Sequence, residues 1–247
     1  MSSADAAVRV TDAGQSFDGR TIYQHVSFAV RHHEVFCILG GSGSGKSTLL
    51  RQIIGLSPPH AGRVELLGED VYAGDGAVLR RVGVMFQSGA LFGSMTLLEN
   101  VMLPLEIHSH LSQEARAEAA RVKLGLVGLA HAVDLLPAEI SGGMIKRGAI
   151  ARALALDPPL IFMDEPSAGL DPSTSAGLDR LILELRDELG TTFVVVTHEL
   201  GSIMAIADRC IMLDREAQGI IAEGDPHKLA ETSENPIVRR FFRREAA

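Results

Sequence analysis

The stretch Gly40-Gly41-Ser42-Gly43-Ser44-Gly45-Lys46-Ser47 decides the fold, because it fits the pattern G-x-x-x-x-G-K-[ST] at every fixed position. The continuously apolar residues 35–39 precede it and predict a strand buried on both faces of a sheet. Residues 48–55, which follow, have the apolar periodicity of a helix. A glycine-rich turn between such a strand and helix points backbone N–H groups at an anion, and the helix start adds partial positive charge. The stretch therefore predicts a phosphate-binding loop.

The side chains of this loop supply the rest of a nucleotide site. Lys46 can reach the terminal phosphates, and the Ser47 hydroxyl can ligate Mg²⁺. We therefore expect ATP and Mg²⁺ as ligands. The residues predicted to contact the nucleotide here are Gly40, Gly41, Ser42, Gly43, Ser44, Gly45, Lys46, Ser47 and Thr48.

A second apolar run ends in two carboxylates. Residues 160–163 predict another buried strand, and Asp164 and Glu165 follow at its carboxyl end, where ligands bind in open α/β sheets. In a chain that also has a phosphate loop, this pair has a specific interpretation. We predict that Asp164 holds the Mg²⁺ shell and that Glu165 polarises an attacking water.

The remaining patterns predict an α/β fold. Residues 193–196 predict a third buried strand, and the apolar positions between 178 and 189 predict the helix before it. Asp171 is placed to cap the start of that helix, and Gly190 to end it. A strand, a crossover helix and a strand form a βαβ unit, which indicates a parallel sheet.

Two regions depart from this pattern. Residues 8–10 and 26–30 predict short strands around the turn signal Asp18-Gly19, which indicates an antiparallel β flap. From about residue 97 to 156 the strand signals vanish, and residues 112–124 predict a helix capped by Ser112. We interpret the second region as a helical insertion within the α/β domain.

Composition limits the classes of partner. The net charge of −8 argues against a nucleic-acid binder, because phosphate contacts need a basic face. No run of about 18 apolar residues is present, so we expect no segment that spans a bilayer. The first ten residues lack the pattern of a signal peptide, so we expect a cytosolic chain. Any membrane role then requires a partner.

Further motifs identify a family. Residues 140–144, Ile-Ser-Gly-Gly-Met, resemble the signature Leu-Ser-Gly-Gly-Gln of ABC transporter ATPases, and they lie between the phosphate loop and the Asp-Glu strand as that family requires. The other motifs of the family follow in order, and the resemblance runs from about residue 8 to 230. They are the aromatic position Phe17, the Q-loop residue Gln87, a D-loop at residues 167–171, and His198 after a buried strand.

The resemblance implies a fold: a P-loop NTPase parallel sheet core with an N-terminal antiparallel β flap and an inserted helical subdomain. It implies a single domain over residues 1–247. Within it we expect the catalytic core at about 1–87 and 157–230, the helical subdomain at about 88–156 and a tail at about 231–247.

The resemblance also implies a mechanism. Two chains form a homodimer head to tail, and each ATP lies between one P-loop and the signature of the other chain. The implied catalytic residues are Glu165 as general base, His198, Lys46 and Gln87; the implied Mg²⁺ ligands are Ser47, Gln87 and Asp164; and the implied nucleotide contacts add Phe17 on the adenine with Ser141, Gly142 and Gly143 from the signature. An integral membrane permease is the implied partner.

Two features indicate a subfamily. Residues 85–92 and Met144 look like the ATPases of Mla/Mce-type phospholipid transporters. That resemblance implies a phospholipid cargo, a substrate-binding protein with an Mce domain, a small accessory subunit and a place on the cytoplasmic face of the inner membrane. The alternatives are the ATPase of an amino-acid or other small-solute transporter, a soluble ABC ATPase without a permease, and a small-molecule kinase. Ile140 and Gly148 depart from the family pattern.

Overall fold

The computed structural model describes residues 6–243, which form two sheets and a set of helices. The strands are β1 (Ala6–Phe17), β2 (Arg20–Arg31), β3 (Val35–Gly40), β4 (Ala61–Leu66), β5 (Glu69–Asp70), β6 (Val82–Met85), β7 (Leu160–Asp164), β8 (Thr192–Val196), β9 (Arg209–Asp214) and β10 (Gly219–Gly224). The α-helices are α1 (Lys46–Ile53), α2 (Leu97–His108), α3 (Gln113–Leu126), α4 (Gly142–Ala153), α5 (Pro172–Leu189), α6 (Leu200–Ile206), α7 (Pro226–Thr232) and α8 (Pro236–Arg243).

The larger sheet has the order β10-β9-β3-β8-β7-β6, and its pairs are parallel except β9 with β10. Strand β3 is buried along its whole length between β8 and β9. Its alternate residues enter two cores, with Cys37 in the one on the α4 and α5 side and Phe36 in the one beneath the smaller sheet. Because β3, β7 and β8 are parallel, their carboxyl ends meet at one edge and bring the predicted site residues together.

The smaller sheet is antiparallel, with the order β2-β1-β4-β5. The β flap was therefore predicted correctly, although β1 and β2 are longer than the pattern indicates and meet at the turn of Asp18 and Gly19. The flap lies on the larger sheet through an apolar layer in which the rings of Phe28 and Phe36 stack, with their centroids 5.5 Å apart. The predicted fold class is confirmed.

Between β6 and β7 the chain is helical, with α2, α3 and α4 joined by turns and short 3₁₀ segments. Each α-helix begins at a side-chain cap: the N-cap side chains of Thr96, Ser112 and Ser141 accept hydrogen bonds from backbone N–H groups of the first turn. The insertion of helices is observed, while the division into a core at about 1–87 and 157–230 and a subdomain at about 88–156 stays a prediction.

Helix α5 begins and ends as the sequence predicts. Asp171 accepts hydrogen bonds from the N–H groups of Ser173 and Thr174, and Gly190 ends the helix with φ 66°. No helix among residues 6–243 has the length and apolar character that crossing a bilayer requires. The signal-peptide expectation and the end of the predicted tail lie partly outside the described residues.

Candidate nucleotide-binding and hydrolysis site

The phosphate loop joins β3 to α1 in a conformation that requires glycine. Gly40 has φ 148°, and a methyl group there would lie 2.4 Å from the Leu213 carbonyl oxygen. Gly45 has φ 96°, and a methyl group there would lie 2.7 Å from Tyr23 Cδ1. A methyl group added at Gly41, in contrast, would meet no other atom within 4 Å. The loop is therefore packed against the rest of the protein at Gly40 and Gly45 and open at Gly41, which leaves room for a phosphate group.

Lys46 begins α1, and its side chain extends along the loop. The Nζ atom donates hydrogen bonds to the carbonyl oxygens of Gly40 at 2.7 Å and Gly41 at 3.0 Å. Burial lowers the pKa of the ammonium, and the nearby carboxylates of Glu165 and Asp164 act in the opposite direction. The site thus holds one cation of the phosphate loop close to two acidic side chains of β7 and the turn after it.

Asp164 is the last residue of β7. Burial raises the pKa of this carboxyl above its usual range, and the charge of Glu165 raises it further. Lys46 lies among the cations that oppose this shift. The arrangement suits a metal ligand, because a bound divalent cation would stabilise the charged carboxylate.

Glu165 follows with an uncommon backbone conformation. Its φ is 47°, in the left-handed region, and its N–H donates to the Val196 carbonyl oxygen at 2.8 Å. Backbone strain of this kind occurs at functional sites, where the surrounding structure holds it in place. Here the conformation turns the carboxylate toward the end of β8.

The two carboxylate oxygens of Glu165 have different surroundings. Oε1 lies 2.8 Å from Nδ1 of His198, which follows β8. Oε2 is buried and has no hydrogen-bond partner in the structure. The hydroxyl of Ser44, in the phosphate loop, is likewise buried without a partner. An unpaired buried acceptor is costly, so these atoms indicate a site built to bind something polar.

Gln87 and Asp164 line one cleft. Gln87 is exposed two residues after β6, and the cleft of about 570 Å³ also includes Ala168 and Gly169 of the D-loop. Ser47 is exposed in the first turn of α1. No cluster of three or more His, Cys, Asp or Glu able to hold a metal ion exists among residues 6–243. Ser47, Gln87 and Asp164 offer a hydroxyl, an amide and a carboxylate oxygen, which fit an ion such as Mg²⁺ that takes its other ligands from phosphate and water.

The signature residues lie apart from the phosphate loop. Ser141 caps α4 by accepting a hydrogen bond from the Met144 N–H at 3.3 Å. A methyl group at Gly143 would lie 2.6 Å from Thr174 Cγ2, in the first turn of α5. One chain therefore brings Lys46, Asp164, Glu165 and His198 together, but it places the signature beside its own D-loop and α5.

Phe17 occupies the end of β1, where its side chain is 50% exposed. It pairs with Arg20 across the turn of the hairpin. In the same hairpin, Ile22 and Tyr23 pack against Gly45 of the phosphate loop. The ring is thus carried by the strand pair that borders the loop.

Two groups of residues near the site were missed by the sequence patterns. Lys146 of α4 donates hydrogen bonds to the backbone carbonyl oxygens of Gln87 and Glu165. The Tyr23 hydroxyl donates to Gln52 Oε1 at 2.6 Å and so ties α1 to the flap. Both contacts join residues far apart in the sequence, and a polar residue in a helix gives no local signal for them.

Comparison with known proteins agrees with this geometry. The family model described as ABC transporter matches residues 23–168. The chain belongs to the ABC transporter family. It is similar to the intermembrane phospholipid transport system ATP-binding protein MlaF of Escherichia coli, with 39% identity over 240 residues that cover 95% of this chain and 88% of MlaF.

A second relative has a different description. The probable ribonucleotide transport ATP-binding protein mkl of Mycobacterium tuberculosis is 37% identical over 240 residues, which cover 96% of this chain. The match spans only 66% of the length of the mycobacterial protein.

Solved structures share the fold. The dimeric structure of MJ0796, a bacterial ABC transporter cassette, matches with a TM-score of 0.79 and 32% identity, covering 88% of this chain and 98% of that one. CbiO1 from Clostridium perfringens, part of the ABC transporter complex cbiONQ, matches with a TM-score of 0.84 and 27% identity, covering 92% of each chain.

Proposed function

We propose that this chain is the ATP-hydrolysing subunit of an ABC transporter. The observation that carries the proposal is the Glu165 carboxylate, with Oε1 held by His198 and Oε2 buried without a partner. A carboxylate oriented in this way can accept the proton of an attacking water. It lies close enough to Lys46 for the two charges to interact, so the base and the phosphate loop belong to one site.

The residues of the loop bind and orient the triphosphate. The backbone N–H groups of residues 40–45 surround phosphate oxygens, Lys46 contacts the terminal phosphates and Phe17 stacks on the adenine. Ser42 and Thr48 add hydroxyl contacts at the two ends of the loop. His198 holds Glu165 through Oε1 and contacts the terminal phosphate through its other ring nitrogen.

Ser47, Gln87 and Asp164 would hold the Mg²⁺ ion. When bound, the ion supplies charge neutralisation for the phosphate oxygens.

Two copies would complete each site. The signature lies beside the D-loop and α5 of its own chain, so its exposed helix start is free to contact a second molecule. The N–H groups of Gly142 and Gly143 and the Ser141 hydroxyl suit the terminal phosphate held by the partner. A two-fold head-to-tail homodimer would bring the signature of each chain to the phosphate loop of the other. The dimeric structure of MJ0796 supports this arrangement.

We further propose a phospholipid as the cargo and an integral membrane permease as the partner. MlaF is described as a phospholipid transport protein, and the sequence around Gln87 and Met144 indicates the same subfamily. The chain would then lie on the cytoplasmic face of the inner membrane, with an Mce-type protein and a small accessory subunit in the complex. The description of mkl makes ribonucleotide or other small-solute transport the alternative.

The test begins with the isolated chain. We expect Mg²⁺-dependent ATP hydrolysis that rises more than linearly with protein concentration, because only the dimer is complete. Affinity purification of the tagged chain from membranes should recover a polytopic membrane protein. The purified complex in liposomes should then transfer fluorescent phospholipid but not labelled ribonucleotide. Transfer of the ribonucleotide alone would overturn the proposed cargo, and absence of ATP hydrolysis would overturn the proposed function.

A further inference from the structure

Lys146 is a buried cation that contacts two other segments of the chain. It lies in α4, only 6% of its surface is exposed, and its Nζ atom donates to two backbone carbonyl oxygens. One belongs to Gln87, and the other belongs to Glu165 at 3.3 Å. A buried ammonium loses its hydration. If this side chain served only to fill space, the folded protein would therefore be more stable with a methionine here than with a lysine.

The contact with Glu165 reaches its strained backbone. The φ of 47° at Glu165 is uncommon for a residue other than glycine, asparagine or aspartate. The Glu165 carbonyl oxygen accepts from the Ala168 N–H at 3.2 Å and from Lys146. Lys146 therefore supports the conformation that directs the Glu165 carboxylate toward His198.

The charges near Lys146 point to the same site. Burial lowers the pKa of its ammonium, while the Glu165 and Asp164 carboxylates favour the charged form. The lysine thus takes part in the electrostatic balance of the two acidic residues without contacting the phosphate loop.

Helix α4 also contacts a second part of the Q-loop, the segment 87–90 that follows β6. Arg152 donates hydrogen bonds to the carbonyl oxygens of Gly89 at 3.0 Å and Ala90 at 2.7 Å. Among the hydrogen bonds of residues 6–243, those of the Arg152 side chain go only to the Q-loop segment. Those of the Lys146 side chain go to both Gln87 and Glu165. The Lys146 side chain therefore joins the helix that begins at the signature to the backbone of Glu165.

We propose that Lys146 is a positioning residue for ATP hydrolysis, which holds Glu165 and Gln87 in place against the signature helix through their backbone carbonyl oxygens. This inference rests on the proposed function, in which Glu165 is the general base. In the proposed dimer, the start of α4 faces the nucleotide bound by the partner chain. A movement of α4 would be transmitted through Lys146 to the backbone of Glu165, and so to the carboxylate in the same chain as the helix.

The experiment compares four variants of the full chain with wild type. Lys146→Met removes the donor and keeps the length, and Lys146→Arg keeps a donor able to serve two carbonyl groups. Lys123→Met is the matched control, because Lys123 is 8% exposed and pairs with Asp157 in the same helical region. Arg152→Met loosens the Q-loop alone. For each we measure kcat, KM, binding of a fluorescent ATP analogue and Tm.

We expect Lys146→Met to lower kcat by about 10- to 100-fold, because a displaced catalytic group loses its alignment. Its KM and nucleotide affinity should stay within about threefold of wild type, since the loss falls on the chemical step. Lys146→Arg should recover most of the rate, and Lys123→Met should keep it. Arg152→Met should lose less than Lys146→Met.

Other results would overturn the inference. A Lys146→Met enzyme with a wild-type kcat would do so, and so would a fall in kcat that Lys123→Met reproduces at an equal loss of Tm. If Lys146→Met does not fold, Lys146→Gln replaces it, and equal rates for the Gln and Arg variants would contradict the proposal. Failure of wild type itself to hydrolyse ATP would instead overturn the proposed function.

Discussion

Nδ1 of His198 lies 2.8 Å from Oε1 of Glu165, so a residue that follows β8 and a residue that follows β7 form one polar unit. The histidine is more than half exposed, while the carboxylate is 12% exposed. His198 thus reaches Glu165 from the open side of the site, while Oε2 stays buried without a hydrogen-bond partner. The unpaired Oε2 is the group that the first prediction tests.

Glu165→Gln should preserve ATP binding and lower turnover by at least about 100-fold, because an amide keeps the shape but cannot take the proton. The stalled variant should accumulate as an ATP-bound dimer. Size-exclusion chromatography with and without Mg-ATP measures this, and Glu188→Gln, at an exposed position of α5, is the control. Hydrolysis near the wild-type rate would remove Glu165 from the role of base.

Lys46→Ala should weaken nucleotide binding by about tenfold or more, since a hydrogen-bonded charge contact to phosphate is lost. The fold should survive, because burial already disfavours this ammonium. Lys228→Ala, at an exposed position of α7, is the control. Titration with a fluorescent ATP analogue and a melting curve give the two readouts. Loss of the melting transition without nucleotide would show that the lysine is structural.

Asp164→Asn should raise Tm near pH 7 while abolishing Mg²⁺-dependent hydrolysis. The pKa of Asp164 is raised above its ordinary value of 3.8, so the folded state favours the protonated carboxyl. The stability from that preference is present below about pH 4 and is lost as pH rises through the folded-state pKa. The advantage of asparagine should therefore shrink as pH falls toward about 4. Melting curves of Asp164→Asn and of the exposed control Asp134→Asn across this pH range test the prediction. A difference in Tm between Asp164→Asn and wild type that does not change with pH would contradict the raised pKa of Asp164.

Gly148→Ala should lower Tm, although glycine inside a helix costs about 1 kcal/mol relative to alanine. A methyl group at Gly148 would lie 2.9 Å from Leu97 Cδ2 and 3.3 Å from Leu91 Cδ1. Overpacking of a buried site costs about 1–3 kcal/mol, which exceeds the gain in helix propensity. Gly125→Ala in α3 is the matched control and should raise Tm, since no atom outside its own helix lies within 4 Å of the added methyl group. Equal effects of the two changes would refute the packing argument.

Met144→Gln should change the ATP concentration for half-maximal activity by less than about tenfold. The Met144 side chain is partly buried and packs against the core on the α4 side, and only its N–H is bonded to Ser141. Ser141→Ala should cost more in turnover, because it removes both the helix cap and a phosphate contact. Steady-state ATPase assays of the two variants test this. The hypothesis fails if Met144→Gln is the more damaging change.

Sequence patterns predicted those parts of the site that are encoded locally. The phosphate loop, the Asp171 cap and the Gly190 end of α5 each depend on residues within a few positions, so their spacing was sufficient. The position of Glu165 after a buried strand was predictable for the same reason. Its left-handed backbone was not, because that conformation depends on contacts with Val196 and Lys146 far along the chain.

Contacts between distant segments explain the other omissions. Strands β4 and β5 were missed because β4 pairs with β1 across a long separation and carries mostly exposed residues at its start. Helix propensity alone would favour alanine at Gly148, and it gives no sign of Leu97 and Leu91, which come from other segments and oppose an added methyl group. Local patterns report periodicity and turn chemistry, but not which side chains meet.

The central place of β3 has a consequence for biosynthesis. Val35 pairs with Phe193, and Phe36 pairs with Arg209, so the strand that carries the phosphate loop finds both neighbours far along the chain. A ribosome makes β3 before β8 and β9, and the edges of β3 stay unpaired until those two strands have emerged. Such non-local pairing slows folding and leaves an apolar strand open to aggregation. The nascent polypeptide therefore completes this sheet only after β8 and β9 have been synthesised, and a chaperone that shields β3 until then would raise the yield of folded protein.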